Sequence, residues 1–119
     1  MAADPLPSTR EVHLSTEKKA GEIVVHASGR ITSETSGLLQ STIRGLIPEA
    51  KRIILDMAAV HYIDSSGIGA LVSVYLAASR AQCDMELANP QPRIRDLFDL
   101  SRLTAVFENG GGYRGLTPD

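Results

Sequence analysis

The stretch His61-Tyr62-Ile63-Asp64-Ser65-Ser66-Gly67-Ile68-Gly69-Ala70-Leu71 sets small polar residues directly ahead of an apolar run, and most of what the chain can fold into follows from that junction. Ile68, Leu71, Val72, Tyr75 and Leu76 recur at the i, i+3, i+4, i+7 and i+8 positions of one helical face. The junction therefore reads as a turn that caps a core helix ending near Arg80 or Ala81. Asp64, Ser65 and Ser66 are all suitable N-caps, because a side-chain oxygen there accepts a bond from an unpaired amide of the first turn. Only one of the three can be the cap. Ser66 can take that place and leave Ser65 exposed, where a hydroxyl at a helix N-terminus lies in a field that favours added negative charge.

Around this junction the rest of the chain falls into alternating elements. Residues 1–9, with two prolines and little apolar content, read as a loosely held lead-in. Val12 and Leu14 alternate with polar residues, and Ile23-Val24-Val25-His26-Ala27 is rich in β-formers, so the two runs make a hairpin about the Lys18-Lys19-Ala20-Gly21 turn. Gly29 is expected to break the second strand. Ser33-Glu34-Thr35 then precedes Leu38, Leu39, Ile43, Leu46 and Ile47, a capped helix that stops at Pro48. Ile53-Ile54-Leu55-Asp56-Met57 is a short continuous apolar run, the pattern of a central strand buried on both faces.

Beyond the organising helix, Met85-Glu86-Leu87-Ala88 reads as a strand closed by Asn89-Pro90. Pro92 suits the first turn of a helix carrying Ile94, Leu97, Phe98 and Leu100. Ala105-Val106-Phe107-Glu108 is the expected last strand, and the Gly-rich residues 109–119 a flexible tail. The order ββαβαβαβ implies an α/β domain with a mixed, largely parallel sheet of about five strands covered by three to four helices. The chain is thus expected to be a single domain over 1–119, with its ordered core at about 11–108.

Composition narrows the function classes. Twelve basic against fourteen acidic residues give a net charge of −2, which is no footprint for nucleic acid or an anionic membrane. No apolar run approaches the roughly 20 residues of a membrane span, and the first residues lack a signal-peptide pattern, so a cytoplasmic location is expected. Cys83 stands alone and reads as a small core residue. Three scattered histidines, His13, His26 and His61, supply neither metal-ligand spacing nor a recognisable catalytic triad, and no cofactor is implied. Gly67 and Gly69 complete no phosphate-cradling motif, so they read as positions of close helix approach. Ala70, Ser73, Val74 and Ala77 form a second, small-residue face of the helix, suited equally to the core and to a docking partner. Arg93, Arg95 and Arg102 read as the solvated side of the last helix and its loop.

With that element order in place, Ile63-Asp64-Ser65-Ser66-Gly67-Ile68-Gly69 following Ile53-Ile54-Leu55-Asp56 resembles the signature of the STAS domain family of bacterial anti-sigma factor antagonists. Gly29-Arg30-Ile31 is similar to the family's Gly-Glu-Leu turn. Asn89-Pro90 through Leu97-Phe98 to Leu103-Thr104-Ala105-Val106-Phe107 is similar to its last helix and strand, so the resemblance spans about residues 11 to 108. In that family the serine directly after the aspartate is phosphorylated by a serine kinase that is also the anti-sigma factor, and is cleared by a PP2C-type phosphatase. The resemblance places that serine at Ser65, with Ser66 as the alternative acceptor. The partner surface it implies comprises Asp64, Ser66, Gly67, Ile68, Thr32, Ser33, Ala70 and Ser73. Thr32 stands where many members carry an aspartate, a departure in a loop expected near the acceptor.

The resemblance implies a non-enzymatic switch that binds an anti-sigma factor kinase, frees a sigma factor, and lets go when phosphorylated. It makes no direct contact with nucleic acid and does not insert into a membrane. A second reading is a scaffold, since STAS domains also resemble small subunits of lipid-transport ABC complexes and components of stress-signalling assemblies. A third, a small nucleotide-binding protein, rests only on the glycines and loop hydroxyls.

Overall fold

A computed structural model describes residues 11–100 and 113–114. The chain opens with a hairpin. Strands β1 (Val12–Lys19) and β2 (Glu22–Ile31) pair antiparallel from Val12 opposite Gly29 to Lys19 opposite Glu22. Only Ala20 and Gly21 connect them, and Gly21 takes the positive φ of 75° that a tight turn requires. The first helix, α1 (Ser36–Leu46), runs on into one turn of 3-10 helix at Ile47–Glu49, where Pro48 sits in the first turn. Strand β3 (Arg52–Ile63), helix α2 (Ser65–Arg80), strand β4 (Asp84–Ala88), helix α3 (Pro92–Leu100) and strand β5 (Tyr113–Arg114) follow.

The sheet order is β1-β2-β3-β4-β5, with every pair after the hairpin parallel. Parallel neighbours need crossover connections, and α1, α2 and α3 supply them in turn. The expected mixed, largely parallel α/β sheet is the observed one, and three α-helices of the expected three to four lie among the described residues. Ile23, Val25 and Ala27 of β2 and Ile53, Leu55 and Met57 of β3 turn one face into the core, where Leu39 and Ile43 of α1 and Leu71 and Val74 of α2 are completely buried. Ile94 and Phe98 of α3 join the same cluster, as does Cys83, whose thiol burial pushes up.

Several boundaries differ from the sequence expectation. Gly29 does not end β2. Its φ of 104° bends the strand where a Cβ would meet the Glu11 carbonyl, and pairing resumes with Arg30 and Ile31 after a register shift. Strand β3 does not stop at Met57 but continues to Ile63, so His61-Tyr62-Ile63 is strand rather than turn. The pairing explains why the pattern hides this. β4 accompanies β3 only as far as Asp56, and beyond it Ala58, Ala59, His61 and Tyr62 are exposed while Val60 and Ile63 still reach the core.

The buried stripe of α2 is Gly67, Ala70, Leu71, Val74, Tyr75 and Ala78, rotated from the expected one, and Leu76 is exposed. Small residues at 67 and 70 let the helix lie close to the strand ends, which turns the larger Leu76 outward and leaves Ile68 half-buried against the edge of the core. On α1, Leu38 is likewise exposed. At the end of the chain, Tyr113 and Arg114 pair with Leu87 and Ala88, so a strand lies inside the segment expected to be a tail; the strand expected at 105–108 lies outside the described residues.

Candidate functional site

The central junction is built at the C-terminal ends of two adjacent parallel strands. Ile31, the last residue of β2, is level with Ile63, the last of β3. One residue, Asp64, separates β3 from α2. Its backbone is extended at φ −111° and ψ −174°, its amide donates to the Ile31 carbonyl at 3.2 Å, and its own carbonyl accepts the first helical bond from the Ile68 amide at 2.9 Å. The Oδ1 atom accepts from the Gly67 amide at 3.0 Å. Asp64 is therefore the N-cap. Of the three candidates the cap is thus Asp64, not Ser66: an aspartate oxygen meets the N3 amide and also sets negative charge against the positive end of the helix dipole.

Capping by Asp64 leaves both Ser65 and Ser66 in the first turn, and both are exposed. Gly67 is buried, and a Cβ there would run into the Ile31 carbonyl oxygen and the Ile63 side chain. Its role as a close-approach glycine is thus direct. Gly69 is different, since nothing lies within 4 Å of a Cβ built on it.

Beside this turn lies the loop from β2 to α1. The Thr35 hydroxyl donates to the Arg30 carbonyl at 2.7 Å and accepts from the Thr32 amide at 2.8 Å, while the Thr32 hydroxyl accepts from the Glu34 amide at 3.2 Å. The Thr32 carbonyl takes the Ser36 amide at 2.7 Å. Thr32 and Thr35 are buried, so their hydroxyls hold the loop and Ser33 is left at its exposed tip. Thr35 precedes α1 but makes no side-chain cap bond, contrary to the expected Ser33-Glu34-Thr35 cap; its oxygen is committed to the strand end instead.

Of the residues expected at a partner surface, Asp64, Ser66, Ile68, Thr32 and Ser33 gather at this rim, with Ser65 among them. Gly67, Ala70 and Thr32, expected at that surface, are instead buried, and they hold the exposed Ser33, Ser65 and Ser66 in place beside them. Ser73 lies further along α2, where its hydroxyl accepts from Arg44 Nη2 at 2.7 Å and ties the two helices together. The small-residue face of α2 is thus mostly interior: Ala70 and Val74 are core and Ala77 packs against it. Tyr62 is half-exposed, with the Arg30 guanidinium 4.0 Å from its ring centroid.

A second polar cluster lies on the opposite face of the sheet and went unmarked in the sequence. His26 Nε2 is 2.7 Å from Glu17 Oε1 and His26 Nδ1 is 2.9 Å from Asp56 Oδ2, so one imidazole bridges β1 and β3. Hydrogen bonding to Glu17 first, and then to Asp56, raises the His26 pKa above its ordinary value, and the same bond lowers that of Glu17. For Asp56, burial acts upward but is outweighed by bonds from the Ala58 amide, His26 and Asn89, so its carboxyl is held below the usual range. The hairpin register places His26 near Glu17, and the parallel register of β2 with β3, which the sequence alone does not set, places it beside Asp56. Among the described residues no cluster of His, Cys, Asp and Glu has the arrangement of a metal site, and no helix is long and apolar enough to cross a membrane. Arg93 is exposed, whereas Arg102 lies outside the described residues.

A mixed sheet with a serine-bearing helix start locked to the end of its central strand defines a domain that presents side chains on a rigid rim. Residues 13–113 match the STAS domain, and the chain belongs to that family. Among solved structures it is similar to an anti-sigma factor antagonist from Mycobacterium paratuberculosis, with a TM-score of 0.79 at 22% identity over 96% of this chain and 93% of the other. It is also similar to the phosphorylated form of the Bacillus cell fate determinant SpoIIAA, with a TM-score of 0.66 at 19% identity over 89% of this chain and 93% of that one. Among curated proteins it is 26% identical over 57 residues to BtrV of Bordetella bronchiseptica, named as an anti-sigma factor antagonist. That match takes in 48% of this chain and 49% of BtrV, so the chain spans about half the length of the curated relative it matches.

Proposed function

We propose that the protein is an anti-sigma factor antagonist switched by reversible phosphorylation of Ser65. Unphosphorylated, it binds an anti-sigma factor serine kinase in the cytoplasm and thereby releases a sigma factor; phosphorylated, it dissociates until a PP2C-type phosphatase restores it. It accepts phosphate and catalyses nothing. The observation that carries this is the division of labour at the junction: Asp64 meets the capping need through the Gly67 amide, and Ser65 is exposed in the first turn of α2. Ser66 is exposed as well, and the family signature selects the serine directly after the aspartate.

The energetics suit a switch. A phosphate on Ser65 adds a charge of about −1.5 to −2, which the helix terminus favours by roughly 0.3 to 1 kcal/mol, so the fold tolerates it. A partner packed over the rim does not, because a penalty of only about 2.8 kcal/mol lowers affinity a hundredfold. Relatives named as anti-sigma factor antagonists, and a solved phosphorylated form of one neighbour, support this assignment.

The test is affinity capture from lysate of the native host with wild type, Ser65→Ala and Ser65→Asp as baits, followed by mass spectrometry. Recovery of an ATPase-fold serine kinase by wild type and Ser65→Ala, but not by Ser65→Asp, is the expected result. Equal recovery of the same kinase by all three would end the switch assignment, and recovery of transporter subunits by all three would make the domain a scaffold. Incubating the captured kinase and ATP with wild type, Ser65→Ala and Ser66→Ala then identifies the acceptor.

A further inference from the structure

We propose that the outer edge of β1 is a self-complementary docking edge for a second copy of this chain, joining two sheets into one across a two-fold axis at Ser15. Among the described residues no strand lies beyond β1, which stands at the end of the sheet order. The direction of its free backbone groups can be deduced. The Glu11 carbonyl accepts from the Arg30 amide at 3.0 Å, so Glu11 points its backbone inward. By the alternation of an antiparallel ladder His13, Ser15, Glu17 and Lys19 do the same. Val12, Leu14, Thr16 and Lys18 therefore aim their amides and carbonyls outward.

An antiparallel partner must match outward-facing residues with outward-facing residues, which leaves few registers for two identical strands. With Ser15 opposite itself, Leu14 bonds Thr16 of the other copy and Val12 bonds Lys18, each twice. The residues between them then form the close, non-hydrogen-bonded pairs, Glu11 against Lys19 and His13 against Glu17, again each twice. All four side-chain pairs oppose an acid to a base on one face of the joint sheet. The neighbouring in-phase registers lose this. Placing Leu14 opposite itself sets Glu11 against Glu17, and placing Thr16 opposite itself sets His13 against Lys19. The first sets two carboxylates directly opposite each other, and the second leaves Glu17 facing Ser15 and Lys19 without an opposing carboxylate.

Lysines at a sheet edge ordinarily deter strand addition. Here Lys18 Nζ is already held by Glu49 at 2.8 Å, and Lys19 meets Glu11 of the second copy only in the Ser15-centred register. The same charges that block other pairings thus select one. Glu17 already holds His26 at 2.7 Å, and the two-fold partner would bring His13 to the same carboxylate. This docking edge is separate from the rim that carries Ser65, so it stands whether or not the switch assignment does.

The experiment is sedimentation equilibrium of the full chain across concentration, with circular dichroism to check the fold. Wild type is expected to form a dimer, and Thr16→Pro a monomer, because the lost amide points outward and no bond to β2 is removed. Lys19→Glu is expected to raise the dimer dissociation constant about tenfold or more, and Glu11→Lys combined with Lys19→Glu to bring it back to within about threefold of wild type. A wild type that stays monomeric up to about 1 mM overturns the proposal, as does a folded Thr16→Pro that dimerises like wild type. If Thr16→Pro does not fold, the charge exchange decides alone: a double variant no tighter than Lys19→Glu overturns the proposal.

Discussion

Two glycines in the first turns of α2 have opposite surroundings, and alanine at each should change stability in opposite directions. In a helix interior Gly is less favourable than Ala by about 0.8 to 1 kcal/mol, chiefly through backbone entropy. At Gly69 nothing lies within 4 Å of an added Cβ and the site is exposed, so Gly69→Ala should keep most of that gain, about 0.5 to 1 kcal/mol. At Gly67 the same gain is available, but the Cβ would overlap the Ile31 carbonyl oxygen and the Ile63 side chain. The first obstacle is backbone and cannot rotate away; it also accepts the Asp64 amide at 3.2 Å, so displacing it weakens the bond that joins β3 to the end of β2. Overpacking costs about 1 to 3 kcal/mol or more, and a weakened buried hydrogen bond about 1 kcal/mol further. The net for Gly67→Ala is a loss of about 2 kcal/mol. Urea unfolding followed by circular dichroism measures both. Changes of the same sign, or a Gly67→Ala variant as stable as wild type, would refute the account of how α2 is seated.

The capping assignment makes a separate prediction: Asp64→Ala should lose about 1 to 2 kcal/mol in the same assay, whereas Asp64→Asn, which keeps a capping oxygen, should lose only a few tenths. Equal losses in the two variants would mean that charge, not the bond to Gly67, is what the position supplies. The Glu17–His26–Asp56 bridge should show in the pH dependence of stability. His26 has a raised pKa in the fold, so its contribution is complete below its ordinary 6.5 and fades as pH rises through the raised value. Glu17 and Asp56 have lowered pKa values, so theirs are complete above their ordinary 4.5 and 3.8 and fade as pH falls. The stability difference between wild type and His26→Gln should therefore be greatest between pH 4.5 and 6.5 and shrink on either side. A difference that is flat from acid to alkaline pH would exclude an ionised bridge.

Element order is legible in this sequence because the signals are local: the apolar run Ile53-Ile54-Leu55, the helical spacing of Leu39 and Ile43, and Pro92 at a helix start depend on near neighbours alone. The extent of β3 is not legible, because Ala58 to Tyr62 are strand by virtue of pairing with β2, and their exposure on losing β4 removes the apolar pattern. The short strand at Tyr113 escapes for a related reason, since β5 is recruited by the edge of β4 and its own composition suggests a tail. At the site, the position of Ser65 can be read directly. The identity of the cap cannot, because Asp64, Ser65 and Ser66 have nearly equal capping preferences and the choice is settled by Gly67, whose approach to Ile31 fixes which amide faces which oxygen. The mixture of buried and partly exposed small residues on α2 likewise needs the third dimension: Ala70 and Ser73 look alike in sequence, yet one is core and the other pairs with Arg44.

A single residue joins β3 to α2, and this makes the middle of the chain a ruler. An insertion in the connection would turn the whole helix by about 100° about its axis, carrying Leu71 and Val74 out of the core and swinging Ser65 off the rim. The Ala20-Gly21 turn, at the far end of the sheet, carries no such tolerance limit on the helices. Length variation among functional descendants of this sequence should therefore collect at the hairpin and the chain ends, and the spacing from Ile53 to Ala78 should stay constant even where every exposed side chain between them has changed.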